Sequence, residues 1–471
     1  MMRRLLLSAA LLACGLGSAH GADLREAWLA ARQQHPDVAA ADATRAIGEA
    51  RRVQASRLWN PTVSAQATGG AMGSRTSAQG AAFSMPGSAA TPGVGFDTSV
   101  HSGPGGRVGI EARMPLYNPE RSAQGRQLLL SADLAELQAA SLQQQLMLKT
   151  AQQYFAAVLA QQQHALLQRQ QEATDRALLE ARDRFALGDS PVTDVREAQA
   201  RALALAAQVQ AADVELQTAL QALAQTTGWS AEPLASLQGP APLAAGESAP
   251  AHAAAALPPL SQWLDMAGSD NLQVRTQAQV LALAEQEAAK ATRSASTKVD
   301  LVAQAAADRL SGSGRWGSAS NSASQYMVGV QIQVPLFTGG QLDARQQELL
   351  RLQEKAQAEL DSTRLAATQQ VRATWLQLQS GAARTQALEA ARAAAQMRLD
   401  ATQLGRQVGD RTTLDLLQAQ NDALQSQSHL LQHQVRMAQE RLQLMALVGR
   451  LDEAALQAAT NAPQTGAPPL R

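Results

Sequence analysis

The pattern of apolar and polar positions changes twice along the first half of the chain. Residues 24–58 are rich in alanine and arginine and predict a helix. After Pro61, apolar and polar residues alternate, most clearly from Val108 to Met114. Alternation with a period of two predicts strands that have one apolar and one polar face. We therefore predict a helix followed by a β-hairpin over residues 62–115.

Two glycine- and serine-rich stretches interrupt the alternation. Residues 69–106 lie within the first predicted hairpin, and residues 311–324 lie within a second predicted hairpin over residues 298–336. Stretches of this composition are typical of turns and loops. We expect both to be surface loops that join paired strands.

A long helix and a turn follow each hairpin. Helix-forming residues run without interruption to residue 187 in the first half and to residue 408 in the second. Each run corresponds to roughly 100 Å of helix at about 1.5 Å per residue. Glycine then stops each helix, and a serine or aspartate can cap the helix that follows. The sequence thus predicts tip turns at residues 188–191 and 409–411, each followed by a helix that returns.

The chain is an internal duplication. Leu24 to Ala65 aligns with Leu260 to Leu301, and the two tip turns align as well. The predicted order is a signal peptide at 1–21, a first repeat at 22–228, an equatorial linker at 229–259, a second repeat at 260–449 and a C-terminal tail at 450–471. Because each return helix is about half as long as the helix before it, we expect the helix that precedes each hairpin to complete the return.

Apolar residues in the helices recur with heptad spacing. Between Val192 and Leu223 the spacing alternates between three and four residues, and from Leu416 to Met445 adjacent apolar pairs recur every seven residues. These periods are typical of left-handed coiled coils, and a doubled apolar stripe favours a hollow α-barrel. Four strands per chain cannot close a membrane barrel. The chain is therefore expected to oligomerise, as two copies with eight strands or three with twelve, and the residues alone do not choose.

The N-terminus has the layout of a secretory signal. Arg3 and Arg4 precede an apolar run from Leu5 to Leu16, and small residues follow to Gly21. Cys14, the sole cysteine, leaves a second interpretation open, a lipoprotein signal cleaved before it. The apolar run is too short to cross a bilayer as a helix, and no later stretch is long enough. Any membrane span is therefore expected to be a β-barrel.

Composition and charge narrow the function. Lys+Arg and Asp+Glu number 40 each, so no basic field is available to hold nucleic acid. Aromatic residues make up 3% of the chain, which favours an elongated protein over one with a large close-packed interior. His429 and His433 lie one helical turn apart, but no third metal ligand accompanies them. Since no catalytic constellation is recognisable either, we expect neither enzyme activity nor a cofactor.

Motifs at the tip turns and at the strand ends carry a family resemblance. The first turn reads RFALGDSPVTDVREAQA from Arg184, and the second reads VGDRTTLDLLQAQ from Val408. The strand ends read MPLYN and VPLFTGG, and the N-terminal segment reads ADLREAWLAARQQHPDV. These motifs resemble those of the TolC-like outer-membrane efflux and type I secretion proteins, over essentially all of the mature chain.

The resemblance implies a mainly α-helical fold with a membrane β-barrel. In a homotrimer, twelve strands would form one barrel continuous with a periplasmic barrel of twelve helices. The implied function is an exit duct that passes small molecules or unfolded proteins across the outer membrane, in contact with its lipid. The implied partners are a periplasmic adaptor protein and an inner-membrane pump of RND or ABC type. The alternative is a periplasmic structural or adaptor coiled coil without a channel, which would not explain the alternating hairpins.

The resemblance also implies a constriction near the second tip turn. It places a ring of acidic side chains at Asp415, where charge sets ion preference. Where the family can have a second acid three residues further on, this chain has Gln418, so the ring is expected to be less negative. The alternative for Asp415 is an ordinary solvated residue on a helix.

Gating links and adaptor contacts are implied at the same end of the helices. Thr193 and Asp194 of the first repeat are expected to face Arg411 of the second across the closed tip, and Arg406 is expected to pair with Asp194. Exposed ion pairs contribute little singly, so several links would act together. The implied adaptor contacts are Gly188, Asp189, Ser190, Gly409, Asp410 and Arg411.

Overall fold

The computed structural model describes residues 22–240, 258–314, 317–408 and 410–460. Several predicted features lie outside the described residues: the signal peptide at 1–21 with Cys14, residues 241–257 of the linker, Gly409, and residues 461–471 of the tail. Within the described residues, no helix combines the length and the apolar character needed to cross a membrane.

The described part of the chain contains ten helices and four strands. The helices are α1 (Leu24–Gln34), α2 (Pro36–Ser56), α3 (Pro119–Ala186), α4 (Val192–Thr227), α5 (Ala231–Ala235), α6 (Leu260–Asp270), α7 (Leu272–Ser294), α8 (Gln341–Gln407), α9 (Thr413–Leu447) and α10 (Glu453–Thr460). The strands are β1 (Thr62–Phe83), β2 (Thr91–Tyr117), β3 (Lys298–Gly314) and β4 (Gly317–Gln333). The chain divides into two units, which we call the helical unit (1–46, 134–278 and 358–471) and the sheet unit (47–133 and 279–357).

The sheet unit contains one antiparallel sheet with the strand order β1-β2-β3-β4. Its register places Ile110 of β2 opposite Ala65 of β1 and Ala305 of β3, and Ala305 opposite Tyr326 of β4. Side chains from all four strands therefore share one face, which is mainly apolar. This face is largely exposed in the single chain; Val328, for example, is 77% exposed.

The stretches 69–106 and 311–324, expected as surface loops, are strand for most of their length. Only residues 84–90 separate β1 from β2, and β3 and β4 stay paired as far as Gly314 opposite Gly317. The hydrogen-bond ladder of a sheet uses the backbone and needs no particular side chain. Small residues can therefore extend a hairpin although their composition is typical of loops, and the loop predictions are wrong.

The helix that precedes each hairpin is interrupted. His35 has an extended backbone (φ −73°, ψ 132°), as a residue before proline prefers, and α2 begins at Pro36. In the second half, Asn271 separates α6 from α7, and its side-chain oxygen accepts the N–H groups of Gln273 (2.9 Å) and Val274 (3.0 Å). Each helix that the sequence predicted before a hairpin is therefore two helices.

The main core of the helical unit lies where α1, α4, α9 and α10 pack on the middle of α3. Tyr154 and Phe155 are fully buried there, with ring centroids 5.7 Å apart in an edge-to-face arrangement. The Tyr154 hydroxyl donates to the carbonyl oxygen of Ala22 (2.7 Å) and accepts from the N–H of Gln238 (3.0 Å). Burial raises the pKa of Tyr154, so the hydroxyl stays protonated. One side chain thus ties the segment before α1 to the segment after α5.

Candidate functional site

The first tip turn joins α3 to α4. Gly188 has a left-handed backbone (φ +81°) that glycine adopts without strain. Its N–H donates to the carbonyl oxygen of Phe185 (3.0 Å), and the N–H of Asp189 donates to that of Arg184 (2.8 Å). Gly188 and Asp189 are exposed, whereas Ser190 is half-buried and its Oγ atom has no hydrogen-bond partner among the described residues. Backbone hydrogen bonds hold the turn, and its outer residues remain accessible.

The second tip turn joins α8 to α9. The N–H of Asp410 donates to the carbonyl oxygen of Gly405 (2.8 Å), the same five-residue spacing that Asp189 uses in the first turn. Gly409, predicted as the stop of α8 and as an adaptor contact, lies outside the described residues. The exposed Arg411 lies over Gly405, where an added Cβ would come within 2.8 Å of Arg411 Cγ. Gly405 therefore leaves room for the aliphatic part of this arginine.

Asp415 lies in the first turn of α9 and belongs to a capping box. Its N–H donates to Thr412 Oγ1 (3.1 Å), and its carboxylate accepts from the Thr412 N–H (3.0 Å). The carboxylate also accepts from the Thr412 hydroxyl (2.9 Å), and the two hydrogen bonds that Thr412 donates to it, followed by the charges of Arg411 and Arg398, lower the pKa of Asp415. Asp415 is therefore an ionised carboxylate held in one place, and Gln418, three residues further on, is exposed.

Arg406 is buried at the end of α8, with 8% of its surface exposed, and it forms an ion pair with Glu180 of α3. The hydrogen bond from Arg406, together with its charge and that of Arg184, lowers the pKa of Glu180. The expected pair between Arg406 and Asp194 is therefore not the one that this chain forms. A buried guanidinium needs a counter-charge at hydrogen-bond distance, and Glu180 supplies it. Asp194 has no ion pair among the described residues, and Thr193 beside it is exposed.

Sequence reasoning missed Glu180. The available signal was its spacing of four residues from Arg184, which the structure shows as a contact of 3.0 Å. Pairs with this spacing are common on exposed helix surfaces and have an ordinary explanation. The second partner, Arg406, lies on another helix far away in sequence, so only the fold brings the two together.

Small residues pack the helices behind the tip turns. Ala177 and Ala181 of α3, Ala198 of α4 and Leu417 of α9 form a buried apolar cluster. Alanine allows helix axes to approach closely. The first turns of α4 and α9, which carry Asp194 and Asp415, are thereby set against α3.

The polar face of the sheet carries charged side chains in contact with one another. Arg113 of β2 lies 3.0 Å from Glu111 on its own strand, 3.6 Å from Asp300 of β3 and 3.4 Å from Gln331 of β4. These residues alternate with the exposed apolar residues of the opposite face. The two faces of one sheet are thus suited to two different surroundings.

The histidine pair has a structural explanation. A polar groove of about 430 Å³ lies between α8 and α9. His433 is buried there, with its Nε2 atom 3.1 Å from the carbonyl oxygen of Gly381 on the facing helix, whereas His429 is exposed. Across the described ranges, no group of three or more His, Cys, Asp or Glu side chains is placed to hold a metal ion. His433 therefore connects the two helices through a backbone carbonyl.

A model of one protein family matches the chain in two segments. The family is described as outer membrane efflux protein, and the matched residues are 29–229 and 263–450. The matches extend across both tip turns and the four-stranded sheet.

Individual proteins are similar over most of their lengths. The alkaline protease secretion protein AprF of Pseudomonas aeruginosa is 26% identical over 357 residues, which are 74% of this chain and 70% of AprF. The outer membrane protein TolC of Vibrio cholerae is 26% identical over 328 residues, which are 68% of this chain and 71% of TolC. By their names, these relatives are a secretion protein and an outer-membrane protein.

Solved structures share the fold. The outer membrane protein VceC of Vibrio cholerae has a TM-score of 0.68 over 90% of this chain and 96% of its own, with 19% identity. The outer membrane channel CmeC of Campylobacter jejuni has a TM-score of 0.68 over 92% of this chain and 87% of its own, with 14% identity. The mainly helical architecture with one group of antiparallel strands is therefore shared with outer-membrane channels.

Proposed function

The chain belongs to the outer membrane efflux protein family, and on that premise we propose that it is the outer-membrane exit duct of a tripartite efflux pump or a type I secretion system. The match of the family model over residues 29–229 and 263–450 carries the proposal. The duct passes small molecules or unfolded proteins outward and performs no chemistry itself. Similarity to AprF, whose name assigns it to protease secretion, is compatible with a protein cargo.

We propose that three copies assemble through their sheets. β1 and β4 each have one edge without a strand partner among the described residues, and an unpaired edge can pair with another strand. If β4 of one copy pairs with β1 of the next, three copies form a closed barrel of twelve strands. The exposed apolar face then contacts lipid, and the face that carries Arg113 lines the aqueous interior.

The helices form the periplasmic part of the duct in this proposal. Each chain contributes the two long helices, α3 and α8, and two returns that are each made of shorter helices. Three copies would place twelve helical columns side by side, with the heptad stripes as the seams between them. The partners are a periplasmic adaptor protein and an inner-membrane pump of RND or ABC type.

We propose that Asp415 forms the charged constriction. Its capping hydrogen bonds hold the carboxylate ionised at the start of α9, and three copies would bring three such charges to one ring. Gln418 contributes no charge, so each copy supplies one acid at this level. The ring would favour cations and would bind multivalent cations.

We propose that the closed tip is held by several weak links and one buried link. Thr193 and Arg411 are exposed and Asp194 is half-buried, so each would contribute one weak contact with a neighbouring helix or copy. The Arg406 to Glu180 ion pair is the buried link, since it joins the ends of α8 and α3 within one chain. Opening would separate these contacts.

The adaptor is proposed to contact the tip turns. Asp189, Asp410 and Arg411 are exposed, Gly188 presents its backbone, and Ser190 has a hydroxyl without a partner among the described residues. Gly409 is also a proposed adaptor contact, because it lies next to Asp410 in the sequence. The alternative for the two glycines is turn chemistry without a partner, and one turn can serve both purposes. The side chains beside them carry the adaptor proposal.

Planar-bilayer recording of the purified mature protein tests the proposed function. We expect discrete single-channel conductance with a preference for cations, and trimers that run at a higher apparent mass on gels before heating and as single chains after it. A water-soluble, non-conducting coiled coil would instead support the rival periplasmic structural or adaptor protein. Pull-down of the native adaptor, repeated with Asp189→Asn and Asp410→Asn, then tests whether the tip turns are the contact.

A further inference from the structure

A small cavity lies in the sheet unit, where the end of β2 meets the start of α3. Its volume is about 190 Å³. It is lined by residues from the segment before β1, from the β2 to α3 junction and from the end of α7: Trp59, Tyr117, Asn118, Ser122, Arg126 and Arg293. Neither the tip nor the interior of the proposed duct involves these residues.

The cavity is positively charged. Arg126 and Arg293 line it, and no acidic side chain does. The Nη1 atom of Arg293 is buried and has no hydrogen-bond partner among the described residues. A nearby acid, Glu120, is already engaged by Lys298 at 2.7 Å. A buried guanidinium N–H without an acceptor is costly, so an anionic acceptor at this position would be favourable.

Free N–H groups at the start of α3 would be another source of anion binding, and the Asn118 side chain already occupies one of them. Its Oδ1 atom accepts the N–H of Arg121 (3.0 Å) and thereby caps the first turn of α3. The positive character of the cavity therefore comes from the two arginine side chains.

Two aromatic residues place the cavity at the margin of the apolar face. The register between β2 and β3 shifts after Pro115, so that Tyr117 lies opposite Val299, which shares a face with Leu301. Tyr117 is 57% exposed and Trp59 is 37% exposed. Trp and Tyr at the end of an apolar band are typical of residues that sit at the level of lipid headgroups.

We propose that this cavity binds the phosphate group of a membrane phospholipid. Arg126 and Arg293 would donate hydrogen bonds to the phosphate oxygens, for which the planar guanidinium is well suited. Trp59 and Tyr117 would lie against the glycerol region. The inference rests on the proposed function, because that function puts the neighbouring apolar face in lipid. A lipid held here would fix the depth of the sheet in the bilayer.

Native mass spectrometry of the detergent-purified mature protein tests the site without needing a channel. Phosphatidylglycerol, diacylglycerol and inorganic phosphate are titrated separately. We expect saturable binding of one phosphatidylglycerol per chain and no binding of diacylglycerol, which lacks the phosphate. Arg126→Gln/Arg293→Gln removes the charged hydrogen-bond donors to the phosphate. This variant should bind phosphatidylglycerol at least about tenfold more weakly than the unmodified protein does.

A matched control removes the same charge outside the cavity. Arg57 is exposed, lies just before β1 and does not line the cavity, so Arg57→Gln should bind phosphatidylglycerol as the unmodified protein does. Arg126→Lys/Arg293→Lys should recover part of the lost affinity. If the double Gln variant fails to form heat-modifiable oligomers, Arg126→Gln alone decides, because Arg126 is exposed.

Three results would overturn the site: equal binding by the double Gln variant and the unmodified protein, equal weakening by Arg57→Gln, or inorganic phosphate binding as tightly as the lipid. Failure of the proposed function looks different. A protein that binds the lipid but never conducts in a bilayer contradicts the duct and leaves the site standing. A protein that conducts but shows no effect of the arginine variants contradicts the site alone.

Discussion

Replacing Glu180 by Gln removes the counter-charge of a buried arginine with almost no change in size. The Arg406 side chain is 9% exposed and the Glu180 side chain is 45% exposed in the ion pair that they form. Gln keeps an oxygen that can accept a hydrogen bond but carries no charge. We expect Glu180→Gln to weaken the contact between the ends of α3 and α8 and so to favour the open tip.

The magnitude follows from the uneven burial of the pair. Leaving a fully buried charge without its partner costs about 3–5 kcal/mol, whereas an exposed pair contributes about 0–1 kcal/mol. Because water reaches nearly half of the carboxylate, we expect about 1–2 kcal/mol here. That corresponds to a shift of roughly 5–30-fold in the equilibrium between closed and open tips.

Single-channel recording measures the effect as open probability. The control is Glu172→Gln on the same helix. The Glu172 carboxylate is 4.0 Å from Arg176 in a pair whose side chains are both largely exposed, so the change should alter nothing measurable. The reasoning is refuted if Glu180→Gln and Glu172→Gln have the same open probability. Restoration of the closed state by the second change Arg406→Met, which removes the orphaned charge, would support it.

The same pair predicts a dependence on pH. The pKa of Glu180 is lowered from 4.5, chiefly by the hydrogen bond from Arg406. A lowered pKa means that the stabilisation is fully present above about pH 4.5 and is lost as the pH falls through the lowered value. The closed tip should therefore hold at neutral pH and loosen only in clearly acidic solution. Glu180→Gln should abolish this component of the response.

Three further predictions concern other residues. Asp415→Asn keeps an oxygen that can accept the Thr412 N–H, but it should lower the cation preference measured by reversal potential and weaken block by multivalent cations. Gln418→Glu should raise both the cation preference and the block. Because the pKa of Asp415 is lowered from 3.8, the cation preference of the unmodified protein should persist down to about pH 4. Arg411→Ser should raise conductance by removing an exposed tip link, and an effect no larger than that of Arg182→Ser on α3 would count against the link. Tyr154→Phe removes the hydroxyl that bonds both Ala22 and Gln238, although the Gln238 N–H and the Ala22 carbonyl also bond each other at 3.3 Å; it should cost about 0.5–1.5 kcal/mol, seen as a lower melting temperature of the protein, while Tyr326→Phe at a 90% exposed position should not.

The strands show how far a local pattern reaches. From Val108 to Met114, apolar residues at every second position are sufficient to predict a strand, because each face of a sheet repeats every second residue. The glycine- and serine-rich continuation around Gly105 carries no such alternation, although it is paired with β1 and β3. Its pairing is decided by the neighbouring strands, whose backbone groups need partners.

At the tip turns, too, some features could be predicted from the sequence and others depend on the fold. Gly188 could be predicted as a turn because only glycine enters the left-handed region without strain, and the helices on both sides are evident from composition. The partner of Arg406 could not be predicted. Asp194 looked suitable from the family pattern, but Glu180 reaches the buried guanidinium. Which acid pairs with an arginine depends on how two helices are positioned along each other. The sequence of one helix does not contain that information.

The sequence by itself determined what is local: the periods of helix and strand, the glycine at the turn after the first long helix, and the family motifs at the turns. The tertiary structure decided what joins distant segments, including the Glu180 ion pair, the hydroxyl of Tyr154 between Ala22 and Gln238, and the cavity between Trp59, Arg126 and Arg293. The physical reason is that periodicity and turn chemistry act over a few residues. Pairing energies arise only where packing brings together groups that are far apart in the chain.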